Sequence, residues 1–247
     1  MKTLIAIPCM DVQESDFAEC LTELVHHHPS EEIEVKYLKA TLVYDARNQI
    51  TRYALDKGGF DYILWLDSDM TFDENLLDRL IDDIEGKEDG IRKQAVTGLC
   101  FGRRPPFKPC IYSKLDVQTN GQMVLPVCEN WYDYPRDQQF EVEACGFACL
   151  LMRMEMLEAM GIYGVPFFPV GGLGEDLTFC WRAKKLDMKF HCDSRLKIGH
   201  IMRIHVDEMF RDSVLGGLAE EGTGGPSGHT GRGRKQHSPA PVKRQKR

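Results

Sequence analysis

The segment Leu64-Trp65-Leu66-Asp67-Ser68-Asp69-Met70-Thr71 carries two carboxylates, two residues apart, directly after an apolar run. If that run is a buried strand left through a tight turn, Asp67 and Asp69 face one point. Hard oxygen donors so placed can hold a divalent cation such as Mn²⁺ or Mg²⁺, which neutralises a diphosphate. Ser68 sits between them. A plainer account is a polar turn whose Asp residues start the next helix. An EF-hand loop beginning at Asp67 would need Gly at its sixth position and Glu at its twelfth, where the chain has Phe72 and Asp78, so that pattern fails.

Other residues of chemical type are spread along the chain. Ala46-Arg47-Asn48 reads as a helix start, where free backbone N–H groups and a guanidinium suit a diphosphate or a nucleobase edge. A surface Arg and a helix-start Asn is the simpler account. Gly171-Gly172-Leu173-Gly174 leads into Glu175-Asp176 and a helix, so Asp176 could reach an acceptor hydroxyl as general base, or merely complement the helix dipole. Phe167-Phe168-Pro169 just before could close over a ligand or pack as an aromatic turn. His200, after Ile198-Gly199, is either a metal ligand or a satisfied polar residue, and His205 is close enough to compete with it. His26-His27-His28 points three ways around a helix and reads as an exposed helix end. The Pro-stiffened basic run Arg103-Arg104-Pro105-Pro106-Phe107-Lys108 could contact phosphates or simply be solvated. Trp131-Tyr132-Asp133-Tyr134 offers faces that stack on sugars or bases, or that cover the core edge.

Alternating elements must position these groups. Thr3 to Pro8 reads as a strand, and Val12 to His28 as a helix with Phe17, Cys20, Leu21, Leu24 and Val25 on one face. A strand at Glu34 to Leu38 and a helix at Ala46 to Lys57, stopped by Gly58-Gly59, follow. Tyr62 to Leu66 is a continuous apolar run that suits a strand covered on both faces, and a helix at Glu74 to Ile84 comes next. The order βαβαβα predicts a mostly parallel sheet flanked by helices. The second half reads as a sheet extension plus loops, with strands at Ala95–Phe101, Cys110–Ser113, Met123–Val127 and Glu141–Cys145, a helix near Glu175–Leu186 and a last strand pair around Phe190–His200.

The chain has 247 residues, 43% of them apolar and 28% charged, which suits one fair-sized core and excludes collagen, coiled coil and full disorder. The formal charge of −7 hides an asymmetry. Residues 222–247 hold seven Lys and Arg and no acid, leaving 24 basic against 38 acidic residues in the rest, a body of −14. Beyond about Gly216 the composition predicts a disordered basic tail, an arm for DNA or another anionic partner. No apolar run approaches the roughly 18–20 residues that cross a bilayer, and the opening segment breaks at Pro8 too soon for a signal peptide. The expectation is a cytoplasmic protein. The nine cysteines are scattered singly, with no CxxC, and read as reduced and mostly buried.

Two families share parts of this pattern. The hhhhDxDxT spelling fits a phosphatase of the haloacid dehalogenase type, with Asp67 as nucleophile and Asp69 as acid/base. That type carries the motif on its first strand and adds a later Lys and a Gly-Asp-x-x-x-Asp signature; here it follows the third, with only Gly174-Glu175-Asp176 downstream. Over residues 2–205 the chain more closely resembles the nucleotide-sugar glycosyltransferases of the GT-A fold, family 2-like, in particular small phage-type members. The residues concerned are Ile5-Ala6-Ile7-Pro8, Ala46-Arg47-Asn48, Asp67-Ser68-Asp69, Gly146 to Arg153, Gly174-Glu175-Asp176 and Gly199-His200, in that order.

The resemblance implies a GT-A domain over 1–215, with 1–101 as the nucleotide-sugar half and 102–215 as the acceptor half, and a tail at 216–247. It implies a nucleoside-diphosphate sugar donor, UDP-sugar first, contacted by Pro8, Arg47, Asn48, Asp67, Ser68 and Asp69. Mn²⁺ or Mg²⁺ would sit on Asp69 and His200, with Asp67 through water or the ribose. Asp176 would be the base of an inverting transfer, and Trp131, Gly174 and Glu175 would meet the acceptor. Some phage enzymes of this kind modify hydroxymethylated DNA bases, which would give the basic tail a partner. A nucleic-acid-binding protein with an inactive transferase-like body is the reading from another class.

Overall fold

Short, fully apolar runs set the centre of the molecule, and amphipathic helices cover it. The computed structural model of the chain describes residues 1–10, 12–29, 32–40, 42–120 and 123–213. Its first half runs β1 (Thr3–Cys9), α1 (Ser15–His27), β2 (Ile33–Lys39), α2 (Val43–Lys57), β3 (Tyr62–Leu66), β4 (Met70–Thr71) and α3 (Leu76–Ile84). The second half runs β5 (Ala95–Leu99), β6 (Ile111–Asn120), β7 (Met123–Asn130), β8 (Gln139–Val142), β9 (Ala144–Cys145), β10 (Cys149–Arg153), α4 (Met154–Ala159), α5 (Glu175–Lys184), β11 (Phe190–Lys197) and β12 (Gly199–His200).

Seven strands form one sheet in the order β2-β1-β3-β10-β5-β11-β8. The strand β1 is parallel to β2 and β3, and β5 is parallel to β11. Only β10, inserted between β3 and β5, and the edge strand β8 run the other way. Side chains of β1 alternate between the two faces, as the two-residue period requires. Leu4 and Ala6 join Ile50 and Ala54 of α2, while Ile5 and Ile7 join Phe17, Leu21 and Leu24 of α1 and Leu77 and Leu80 of α3. The hairpin β6–β7 and β9 make a separate three-stranded sheet, and β4 pairs with β12 in a two-stranded ribbon.

The mixed, mostly parallel α/β architecture agrees with the sequence, with three corrections. First, the strands expected of the second half lack β10, a buried strand at the centre of the sheet that lies within Gly146 to Arg153 and is followed by α4. Second, α2 begins at Val43, with Leu42 as its N-cap residue, so Arg47 and Asn48 lie beyond the first turn and offer no free backbone N–H groups. The Asp45 and Ala46 N–H groups already donate to the Leu42 carbonyl. Third, His28 is not an exposed helix end. Its side chain is 8% exposed and, with His27, faces Asp78 of α3.

Met1–Met202 is one compact unit and a second begins at Arg203. Of the second, residues 203–213 are described, with 208–213 helical. The tail predicted at 216–247, with its basic stretch 222–247, lies outside the described residues. Among those described, no helix is long and apolar enough to cross a membrane.

Candidate functional site

Ligands of open α/β sheets bind beyond the carboxyl ends of parallel strands, and here β1 and β3 deliver Pro8 and Asp67-Ser68-Asp69 to that edge. The turn is pinned on three sides. The Asp67 N–H donates to the Ala148 carbonyl at 3.0 Å, the Met70 N–H to the Asp67 carbonyl at 3.3 Å, and the Glu14 N–H to the Ser68 carbonyl at 3.2 Å. The chain then pairs with β12, Gly199 opposite Thr71 and His200 opposite Met70. A Cβ on Gly199 would lie 2.2 Å from Thr71 Oγ1, so any other residue there must turn the Thr71 hydroxyl aside.

The ribbon brings His200 Nε2 to 3.5 Å from Asp69 Oδ2. His200 Nδ1 lies 2.8 Å from the Phe101 carbonyl, an acceptor, so Nδ1 carries the proton and Nε2 is the atom turned to Asp69. Burial opposes the imidazolium, but Asp69 and the Phe101 carbonyl outweigh it and raise the His200 pKa. Burial likewise opposes the Asp69 carboxylate, and His200 with Arg103 outweighs it in the other direction. Arg103 Nη1 is 2.6 Å from Asp69 Oδ2, on a half-exposed side chain. Pro8, Asp67, Ser68, Asp69 and Arg103 line one cleft of about 290 Å³, together with the exposed Met10 and Val12 of the loop after β1.

Arg47 and Asn48 lie behind this cleft. Arg47 is 2% exposed, flanked by the rings of Trp65 and Phe147. Its Nη2 is 2.9 Å from Asp67 Oδ1 and its Nε 3.5 Å from Glu175 Oε1. The guanidinium thus ties the end of β3 to the start of α5. Burial raises the Asp67 pKa in spite of Arg47, and Asp69 and Glu175 add repulsion. Asn48 Oδ1 accepts the Phe167 N–H at 3.1 Å. Phe167 is itself a core residue, stacked on Phe179 and edge-on to Trp65 and Phe147, so no closure over a ligand uses it. Phe168 is the exposed one, edge-on to Tyr44.

Asp176 sits in the first turn of α5, whose N-cap residue is Gly174. Its Oδ1 accepts the Leu177 N–H at 2.7 Å. Burial, then Glu175, raises its pKa to about 6. A Cβ on Gly174 would stand 3.0 Å from Asp176 Oδ1, and one on Gly146 3.6 Å from Oδ2. Gly174 therefore keeps space beside the carboxyl group, whereas a side chain at Gly146 would make ordinary contact with it. Trp131 is half-buried, edge-on to Phe140, with its backbone N–H donating to the Ile111 carbonyl at 3.0 Å.

No family model and no curated protein sequence matches the chain. Solved structures do. The crystal structure of A197 from STIV superposes with a TM-score of 0.57 at 19% identity, covering 82% of this chain and 87% of that one. The crystal structure of GalNAc-T7 with UDP, GalNAc and Mn²⁺ gives 0.54 at 11% identity, covering 83% of this chain and 44% of that one. The fold is of the GT-A type.

Within this GT-A core the donor set can be compared with a cation's needs. Among the described residues no three or more His, Cys, Asp or Glu side chains converge as a cage. Asp69 and His200 meet, and Asp67 is turned to Arg47. One carboxylate and one imidazole suit an ion that takes its remaining ligands from water and substrate phosphates, as Mg²⁺ does with one or two carboxylates. His205 belongs to the second unit, described apart. The sequence undervalued Arg103, whose run reads equally as a solvated loop. It also missed that Arg47 serves Asp67 and Glu175; the GT-A core encodes that only in three dimensions.

Proposed function

We propose that the chain is a metal-dependent glycosyltransferase that moves a sugar from a nucleoside-diphosphate sugar, UDP-sugar first, to an acceptor hydroxyl. The observation that carries this is the meeting of His200, on β12, with Asp69, which lines the cleft beyond the ends of β1 and β3. Asp69 and His200 would hold Mn²⁺ or Mg²⁺, whose charge offsets that of the leaving diphosphate. Residues 1–101 would form the donor half, with Pro8, Asp67 and Ser68 lining the nucleotide cleft and Arg47 and Asn48 supporting it. Arg103 is placed to take a phosphate oxygen in exchange for Asp69.

Residues 102–215 would present the acceptor, with Trp131, Gly174 and Glu175 on that side. Its hydroxyl oxygen bonds to the anomeric carbon as the bond to the diphosphate oxygen breaks, and the hydroxyl proton passes to Asp176. A single displacement of this kind inverts the anomeric centre. A pKa near 6 leaves Asp176 ionised at neutral pH, yet basic enough to accept a proton. The phosphatase alternative would need Asp67 as a nucleophile, and its Oδ1 already lies 2.9 Å from Arg47.

The basic stretch 222–247 favours an anionic acceptor, DNA bearing hydroxymethylated bases in the first instance. The test is a panel of sugar nucleotides with Mn²⁺, scored for nucleoside-diphosphate release with and without such DNA. Release that needs both cation and donor supports the transferase. Absence of release from every donor, with DNA binding intact, favours the binding module, and phosphate release from a phosphomonoester favours the phosphatase.

A further inference from the structure

Beyond the cleft, the loop that carries Arg103 has a chemical feature of its own at its base. Phe101 and Pro109 face each other in an antiparallel bridge, and the Gly102 N–H donates to the Lys108 carbonyl at 2.8 Å. The Cys110 N–H donates to the Cys100 carbonyl at 2.9 Å, which places Cys100 and Cys110 directly opposite each other in the same register. Hydrogen-bonded antiparallel partners stand about 5.5 Å apart at Cα, inside the window of about 4.4–6.8 Å that a disulfide spans. The two thiols act on each other's ionisation, Cys110 holding the buried Cys100 up and Cys100 holding Cys110 down.

We propose that Cys100 and Cys110 are a redox modification site, a dithiol that a low-molecular-weight disulfide such as oxidised glutathione converts to a disulfide closing the loop 101–109. Cys110 is partly exposed and Cys100 is 2% exposed, so an incoming reagent meets Cys110 first. The neighbouring Cys100 thiol lowers the Cys110 pKa against the effect of burial, which favours the Cys110 thiolate as the attacking group. Cys110 attacks one glutathione sulfur and expels one reduced glutathione. Cys100 then attacks the Cys110 sulfur of the mixed disulfide and expels the second. Two protein thiols lose two electrons and two protons, and one oxidised glutathione becomes two reduced molecules. The contacting pair Cys145 and Cys180 has no such access, since both are fully buried.

Closing this loop fixes the backbone that presents Arg103 to Asp69 and the Phe101 carbonyl to His200. The site is independent of the reaction proposed for the cleft, because neither cysteine belongs to the binding machinery described above.

The full chain is equilibrated with reduced or oxidised glutathione, blocked with N-ethylmaleimide and digested with trypsin. Cleavage after Arg103 separates peptides 94–103 and 104–114, each with one cysteine, since Arg104 and Lys108 precede prolines and resist. The expected result under oxidised glutathione is a linked 94–103/104–114 pair, two hydrogens lighter than the separate peptides and released by dithiothreitol. It should vanish in Cys110→Ser and persist in a variant of the exposed Cys128, Cys128→Ser. Amide exchange at Gly102 and Cys110 should slow on oxidation and recover on reduction. The proposal is overturned if Cys110 is recovered joined to glutathione alone or to another cysteine. It is equally overturned if both thiols stay free while Cys128 reacts. The wild-type linkage map decides even if a variant fails to fold.

Discussion

Two buried arginines stand at opposite ends of the same sheet, each beside an aromatic residue of β3. At the amino end of β3, Arg153 lies over Tyr62, and its Nε and Nη2 have well-placed acceptors. It donates to the Lys93 carbonyl at 2.7 Å, the Ile84 carbonyl at 3.0 Å and Glu85 Oε1 at 2.6 Å. At the carboxyl end, Arg47 lies over Trp65 and is stretched between Asp67 and Glu175, and its buried Nε–H has no hydrogen-bond partner. One arginine meets one carboxylate and two carbonyls; the other meets the Phe147 carbonyl, at 3.5 Å, and two carboxylates whose neighbours are Asp69 and Asp176. The Arg153 guanidinium at the amino end thus spends its charge within the fold. The carboxyl end holds more negative charge than its own cations cover, which is what a site for a cation and a proton needs.

Substitutions that touch the two ends separately test this contrast. The largest effects belong to Asp69→Asn and Asp176→Asn, each expected to lower sugar transfer by about 10²–10⁴-fold with the circular dichroism spectrum unchanged. Arg153→Met should leave turnover of the folded protein within about threefold. Equal turnover in all three variants would erase the distinction.

Next come the arginines themselves. Arg47→Met and Arg153→Met should each cost about 3–5 kcal/mol in urea denaturation, because the first strands the part-buried Asp67 and Glu175 and the second the Lys93 and Ile84 carbonyls. Only Arg47→Met should also weaken Mn²⁺ binding measured by calorimetry, through protonation of Asp67. A smaller effect is expected of Gly199→Ala, which drives a methyl group into Thr71 Oγ1. It should cost about 1–3 kcal/mol and, by parting His200 from Asp69, reduce Mn²⁺ affinity by roughly tenfold.

The smallest effect is the dependence of stability on pH. Asp176 has its pKa raised from the ordinary 3.8 to about 6, so folding disfavours its charged form. Stability from this group is therefore present below about pH 4 and lost as pH rises through 6, by about 1 kcal/mol given its partial exposure. The same ionisation should make kcat/KM rise about tenfold per pH unit below 6 and level above it. A flat profile would remove Asp176 as the base.

Where local chemistry decides structure, the sequence was legible. The apolar run before Asp67, the terminal Pro8 region and the facing leucines of α3 led to the right layers and the right end of the sheet. What it hid depends on contacts between distant segments. Arg47 reads as a helix-start residue because Leu42 is no recognisable cap, and the extra turn that moves it off the helix end has no local signal. Cys149 to Arg153 is too short and too uniformly apolar to announce a central antiparallel strand. The glycine of Gly199-His200 was visible as part of a motif, but its reason is Thr71, on another strand. Cys100 and Cys110 look scattered until the turn around Pro105-Pro106 sets them opposite each other.

The β4/β12 ribbon also bears on how the molecule comes into being. During synthesis β1, β2, β3 and Asp67-Ser68-Asp69 leave the ribosome early and could pair as one layer. His200 emerges only after β5, β10 and β11 have been made, and its imidazole then meets a carbonyl 99 residues upstream. The proposed ion site should therefore be completed late and abruptly in a nascent chain. A chain stopped at Lys197 would keep most of the sheet and lack the Asp69–His200 pair.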